Sequence, residues 1–206
     1  MFSNRITAAQ QLIPLLKKYK EQPGGLVLAV PRGGVPIAYV IAKELHLPLS
    51  LVLTKKIGHP ANEEYAIGAV SLTDRYLVPH KEISPAYIEE ATTRIRKRLR
   101  EMYHMYLGDR QPEPISGKTV IVADDGIATG NTLLATVKML RKANPAKIVV
   151  AAPVASQNAY ATLSKVVDEL IILHIPTFFR GVGEFYDDFG QVTNEEVIYY
   201  LTKERT

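Results

Sequence analysis

Asp124 and Asp125 stand side by side, and from Gly126 to Thr132 they are followed by a loop in which only Ile127 and Asn131 exceed a small or hydroxyl side chain. The backbone amides of such a loop can close around an anion, and the hydroxyls of Thr129 and Thr132 add donors. Downstream, Leu134, Val137, Met139 and Leu140 recur at mixed three and four spacing. A helix therefore begins at the loop and aims its positive end at the anion. A phosphate belongs at Ala128, Thr129, Gly130, Asn131 and Thr132. Two carboxylates beside it would repel it unless they face hydroxyl groups, a cation or a developing positive charge. A ribose with a pyrophosphate at C1 offers all three: vicinal hydroxyls, Mg²⁺ carried on the pyrophosphate, and an oxocarbenium-like C1 when the leaving group departs.

A second loop, Val30-Pro31-Arg32-Gly33-Gly34, also runs from an apolar stretch into a helical pattern. Arg32 and the amides of Gly33 and Gly34 would then form another anion site on the same edge. Taken alone, it reads equally as a glycine-rich turn with a surface arginine; beside the acid pair, the functional reading gains. Lys55 and Lys56 follow the second apolar run, where one of them could meet negative charge building on a leaving group or both could simply be solvated. A P-loop is excluded, since Asn131 stands where its lysine would be required.

The elements that must position these residues follow from the pattern. Leu26 to Val30, Leu49 to Thr54, Thr119 to Asp124, Lys147 to Pro153 and Glu169 to Leu173 are strand-like, with little alternation, as expected for parallel strands covered on both faces. Helical patterns occupy Ile6 to Tyr19, Val35 to Leu45, Pro85 to Leu107, Thr132 to Ala143, Gln157 to Val166 and Asn194 to Thr202. The alternation predicts an α/β fold: an open, mainly parallel, Rossmann-like sheet of about five strands flanked by helices. Residues 55–79 break it. There Gly58 to Asn62 reads as an exposed loop, and Ala66 to Val70 with Tyr76 to Val78 reads as a hairpin across Thr73-Asp74, together a flexible lid with His59, Asn62, Glu63, Glu64 and Tyr65 near its tip. The whole chain, 1–206, reads as a single domain.

No run approaches the ~18 apolar residues of a membrane span, so a cytoplasmic protein without a membrane partner is expected. Absence of cysteine excludes disulfides, thiolate metal sites and a cysteine nucleophile, and the five histidines form no ligand-spaced cluster. The net charge of +4 suits phosphorylated substrates. Arg94, Arg96, Lys97, Arg98 and Arg100 crowd one predicted helix. They read first as a solvated face with pairs such as Glu90 to Arg94, and only second as an RNA-binding surface, so a nucleic-acid partner is not expected.

The run Val120 to Thr132 resembles the phosphoribosyl pyrophosphate (PRPP) motif of the type I phosphoribosyltransferases. The resemblance implies that family's fold, with a hood formed by residues 176–206. It also implies an enzyme of nucleotide metabolism that replaces the pyrophosphate of PRPP by a nitrogen nucleophile, with Mg²⁺ as cofactor. Asp124 and Asp125 would hold the ribose hydroxyls and the metal, through its water shell, and with Lys55 and Lys56 they make up the expected catalytic set. Ala128 to Thr132 would hold the 5-phosphate. Arg32, Gly33 and Gly34 would hold the pyrophosphate, with Arg32–Gly33 matching a strained peptide of the family. In the aromatic and acidic stretch Pro176 to Phe189, Tyr186, Asp187 and Asp188 are the expected acceptor contacts, whereas Phe178, Phe185 and Phe189 read as a small core anchoring the last helix. The hypoxanthine and guanine enzymes typically carry an aspartate where this chain has Ala128, which disfavours a 6-oxopurine acceptor; Ala128-Thr129-Gly130 looks more like the adenine and orotate branches. Many similar proteins are homodimers, and Pro85 to Leu107 could supply the interface. A non-catalytic PRPP sensor and a phosphoribosyl hydrolase are the competing expectations.

Overall fold

The computed structural model describes residues 1–78, 80 and 82–203, the side chains of Glu64 and Ala66 excepted. Pro79 of the expected lid, 204–206 of the expected hood and the Glu64 side chain lie outside the described residues.

Five parallel strands form the central sheet: β1 (Gly25–Ala29), β2 (Leu49–Leu51), β6 (Thr119–Ala123), β7 (Lys147–Val154) and β8 (Glu169–His174), in the order β2-β1-β6-β7-β8. A second, antiparallel sheet holds β3 (Thr54–His59), β4 (Asn62–Ser71) and β5 (Arg75–Leu77). Among the described residues there are six α-helices, α1 (Arg5–Leu16), α2 (Gly34–Leu45), α3 (Pro85–Leu107), α4 (Asn131–Lys142), α5 (Gln157–Leu163) and α6 (Asn194–Lys203), and two short 3-10 helices, Lys17–Tyr19 and Val182–Phe185. Among the described residues no helix is long and apolar enough to cross a membrane.

The central strands lack alternation because both faces are covered. Val27, Ala29, Ile121, Ala123, Val149 and Ala151 face a core shared with α1 and α2, while Leu26, Leu28, Val120, Val122, Ile148 and Val150 face another with α4 and α5. The chain leaves β1 through α2 on one face and β6 through α4 on the other. The ends of these adjacent strands therefore flank a topological switch point, the crevice where ligands bind in open α/β sheets.

The expected strand Leu49 to Thr54 proves to be two. Val52 makes the last rung with the Ala29 carbonyl, and from Thr54 the chain pairs with β4 instead. The expected exposed loop Gly58 to Asn62 is a tight turn: Gly58 and His59 finish β3, the exposed Pro60 and Ala61 turn, and Asn62 starts β4. The bulge at Ile57 to His59 depends on Gly58, where a Cβ would lie 2.5 Å from the Glu63 carbonyl oxygen. Lys55 and Lys56 are exposed while Ile57 is buried, so β3 carries too few apolar residues to announce itself. The hairpin across Thr73-Asp74 pairs Gly68 with Leu77 and Val70 with Arg75. Beside this small sheet runs α3, capped by Ser84 and opened by Pro85. Its buried Ala91, Ile95 and Leu99 join the core that also contains Ile57, Ile67 and Val70, and the Tyr87 hydroxyl donates to the Gly58 carbonyl at 2.8 Å.

Candidate functional site

Asp124 and Asp125 leave the end of β6 at the switch point. The Asp125 amide donates to Asp124 Oδ1 at 2.9 Å, a turn that fixes the two carboxylates relative to one another. Opposite them lies the loop after β1. A Cβ on Gly33 would fall within the Asp125 carboxylate, and one on Gly34 would lie 2.6 Å from the Ala123 carbonyl oxygen, so only glycine lets the loop approach this closely. Burial pushes the Asp124 carboxyl well above the ordinary range, and the Asp125 charge adds to the rise. Burial also raises Asp125, against the opposing pull of Arg5.

Arg5, which the sequence reading passed over, is the cation of this pair. Its Nε donates to Asp125 Oδ2 at 2.8 Å, with the two side chains only 12% and 13% exposed. Nη1 reaches the Gly190 carbonyl at 2.8 Å, and the guanidinium sits 4.0 Å from the Phe189 ring centroid. A signal was present: Asn4 caps α1 through a capping box, which puts Arg5 on the first turn, where the helix dipole disfavours a cation. An arginine there answers to an anion elsewhere.

Tyr186 carries the same assembly further. It is 5% exposed, its ring lies between Phe2 and Phe189, and its hydroxyl donates to the Asp125 carbonyl at 2.6 Å. Burial, reinforced by the Asp125 charge, raises its pKa. The expectation of an acceptor contact is therefore corrected for this side chain, which is spent on holding the acid pair. The exposed Asp187 and Asp188 donate their amides to the Phe2 and Ser3 carbonyls, tying the C-terminal segment to the start of the chain. Phe185 and Phe189 pack against the core, but Phe178, expected to join them, is 87% exposed.

The loop after the acid pair opens α4 at Gly130, whose φ of 73° lies in the left-handed region. Ala128, Thr129, Asn131 and Thr132 are exposed, and the Thr129 hydroxyl accepts from the Asn131 amide at 3.5 Å. Helix geometry leaves the next two amides of the first turn, those of Thr132 and Leu133, without an intrahelical acceptor. Ser156 holds the loop from behind, donating to the Ala128 carbonyl at 2.6 Å.

Across the crevice, Arg32 follows a cis peptide at Pro31–Arg32, one bond before the Arg32–Gly33 peptide singled out in the sequence. Gly34 is corrected as an anion donor: its amide is bonded to the Val30 carbonyl at 3.0 Å. Arg32, Lys55 and Thr132 line one cavity of about 450 Å³, whereas Lys56 lines an adjoining one with Lys55. Among the described residues no group of three or more His, Cys, Asp or Glu could hold a metal. Two carboxylates beside a phosphate loop nonetheless fit Mg²⁺, which keeps several waters and takes one or two carboxylates together with substrate phosphates.

Known proteins resemble this chain. Residues 6–189 match the family model described as phosphoribosyl transferase domain. A Mycobacterium tuberculosis protein provisionally named phosphoribosyl transferase Rv0571c is 30% identical over 208 residues; the match covers 98% of this chain but 47% of that protein, so the chain spans about half of its relative's length. The crystal structure of TT1426 from Thermus thermophilus is 35% identical, superimposes with a TM-score of 0.88 and is covered over 98% of both chains. A shorter match, 42% identical over 66 residues, covers 31% of this chain and 24% of the ribose-phosphate pyrophosphokinase of Pyrococcus furiosus. With nearly its whole length described by one family model, the chain belongs to the phosphoribosyltransferases, a family of pentosyl-transferring enzymes.

Proposed function

We propose that the protein transfers the 5-phosphoribosyl group of PRPP to a nitrogen nucleophile, on a nucleobase or related heterocycle, with release of pyrophosphate and dependence on Mg²⁺. The observation that carries this reading is the acid pair at the switch point of the sheet, lying between the close-approaching loop after β1 and the small-residue loop that opens α4. The bond from C1 to the pyrophosphate oxygen breaks and its electron pair leaves with pyrophosphate. The acceptor nitrogen supplies the pair for the new C1–N bond and loses its proton. Ala128 to Thr132 bind the 5-phosphate, and Asp124 and Asp125 orient the ribose hydroxyls and the metal's water shell. Arg32 and Gly33, with Lys55 or Lys56, hold the departing pyrophosphate. Mg²⁺ supplies charge neutralisation on that leaving group. Catalysis is then positioning and electrostatic stabilisation. Arg5 keeps a partly buried Asp125 ionised and aimed.

Asp187 and Asp188 are the acceptor contacts in this reading. Ala128 places no acid beside the acceptor, which disfavours a 6-oxopurine. A cytoplasmic homodimer using the exposed face of α3 completes the reading, and sedimentation tests the assembly. Calorimetric titration with PRPP and Mg²⁺, repeated on Asp125→Asn and followed by pyrophosphate release with a panel of bases, tests the reaction. Metal-dependent binding lost in the variant, with base-stimulated release, is the expected result. Absence of PRPP binding by the unaltered protein overturns it, as does binding without base-stimulated release, the behaviour of a sensor.

A further inference from the structure

The arginine cluster of α3 does not behave as one solvated face. Arg75 and Glu89 form an ion pair outside it, and within it Arg96 donates to the Ser71 and Asp74 carbonyls, a structural use. Arg98 is different. It lines the 450 Å³ cavity together with Arg32, Lys55 and Thr132, whose wall α3 forms. Arg94, one turn earlier on the same helix face, joins Arg98, Lys55 and Lys56 around the adjoining cavity of about 410 Å³. Among the described residues, neither Arg94, Arg98, Arg32 nor Lys55 has an ion pair or side-chain hydrogen bond. By contrast, Arg5, Arg75, Arg141, Lys18, Lys118 and Lys147 are all paired with carboxylates. In the larger cavity three cations face a single carboxylate, Glu101.

Cations held together around a concave surface without counter-ions repel one another and are stabilised by an anion that fits between them. Arg32 and Lys55 approach the cavity from the sheet edge, and Arg98 from the helix on the far side. An anion seated there is gripped from two directions by groups on separate rigid elements. Arginine suits the task, since its planar fork pairs with two phosphate oxygens at once.

Resting on the proposed transfer from PRPP, we infer that Arg98, supported by Arg94, is a further binding residue for the pyrophosphate moiety, closing from α3 the cradle that Arg32 and Lys55 open.

Calorimetric titration of the unaltered protein, Arg98→Gln, Arg98→Lys, Arg94→Gln and Lys97→Gln with inorganic pyrophosphate, and separately with ribose 5-phosphate, tests this. Arg94, Lys97 and Arg98 are exposed, so the variants retain the fold. For Arg98→Gln the expected result is pyrophosphate binding weaker by roughly tenfold, the loss of one charge-assisted contact, with ribose 5-phosphate unchanged. Arg98→Lys restores part of the affinity, Arg94→Gln loses less, and Lys97→Gln, on the same helix but outside both cavities, keeps it. Equal pyrophosphate affinity for Arg98→Gln and the unaltered protein overturns this inference and leaves the proposed transfer standing. So does an equal loss in Lys97→Gln, which would make the effect one of net charge. Failure of the unaltered protein to bind either probe overturns both.

Discussion

Replacing Arg5 by alanine strips Asp125 of its cation while leaving the carboxylate enclosed. The pair is 2.8 Å apart and nearly nine-tenths buried on both sides, so the loss is that of a buried ion pair broken from one end, about 3–5 kcal/mol at neutral pH. An unfolding entropy on the order of 0.4 kcal/mol/K for a chain this long turns that into a Tm drop of about 7–12 °C. The effect has a pH signature. Burial already holds the Asp125 carboxyl above its unfolded value, and Arg5 is what restrains the rise. Without Arg5 the pKa climbs further, and the folded state binds a proton more readily than the unfolded one. The penalty is therefore complete above the raised pKa and fades as pH falls through it. What remains in acid is the lost contact with Phe189 and the Gly190 carbonyl, about 1–2 kcal/mol. Scanning calorimetry at pH 7 and pH 4 measures both, and in the Asp125→Asn background the Arg5→Ala step should cost only that remainder. Equal Tm drops for Arg5→Ala in the two backgrounds, with no narrowing in acid, would refute the reasoning.

Gly33→Ala places a methyl group in the space of the Asp125 carboxylate, so turnover should fall by at least about a hundredfold, as a misplacement near 1 Å does, while circular dichroism shows the fold retained. Tyr186→Phe removes the donor to the Asp125 carbonyl and should cost about 1–2 kcal/mol in urea unfolding, with little change in near-ultraviolet signal from the ring stack. Burial pushes Glu169 up, but hydrogen bonds from Lys18, Tyr19 and Lys147 outweigh it and hold the carboxyl at about 2. Its stabilisation is present above the unfolded carboxylate pKa and is lost as pH falls toward 2, so Glu169→Gln should flatten the acid limb of the Tm profile, and an unchanged limb would count against the network.

What the sequence made legible divides along physical lines. The parallel strands announced themselves because burial on both faces leaves no room for polar residues, and Thr119 to Ala123 can be read by eye. The two anion loops were equally open to reading, since small residues at a strand end are rare without a reason. β3 was concealed because Lys55 and Lys56, on opposite faces of the strand, are both exposed and Ile57 alone of the three is buried, so no apolar run or alternation marks it. Arg5 was missed for a different cause: its partner is 120 residues away, and nothing local records the contact beyond the awkward charge at a helix start. Tyr186 and Phe178 exchanged places for a related reason, because composition reports aromaticity, and only the packing of Phe2 and Phe189 decides which ring is enclosed.

The stitching of residues 2–5 onto 185–190 also sets a schedule for biosynthesis. Arg5 and Gly190 are 185 residues apart, so at ordinary ribosomal speeds on the order of 10–40 s separates their emergence. Only over the last part of that interval, after Asp125 has been made, does the acid pair exist while the segment that clasps its arginine does not. A nascent chain thus has no finished acid site until the C-terminal segment emerges.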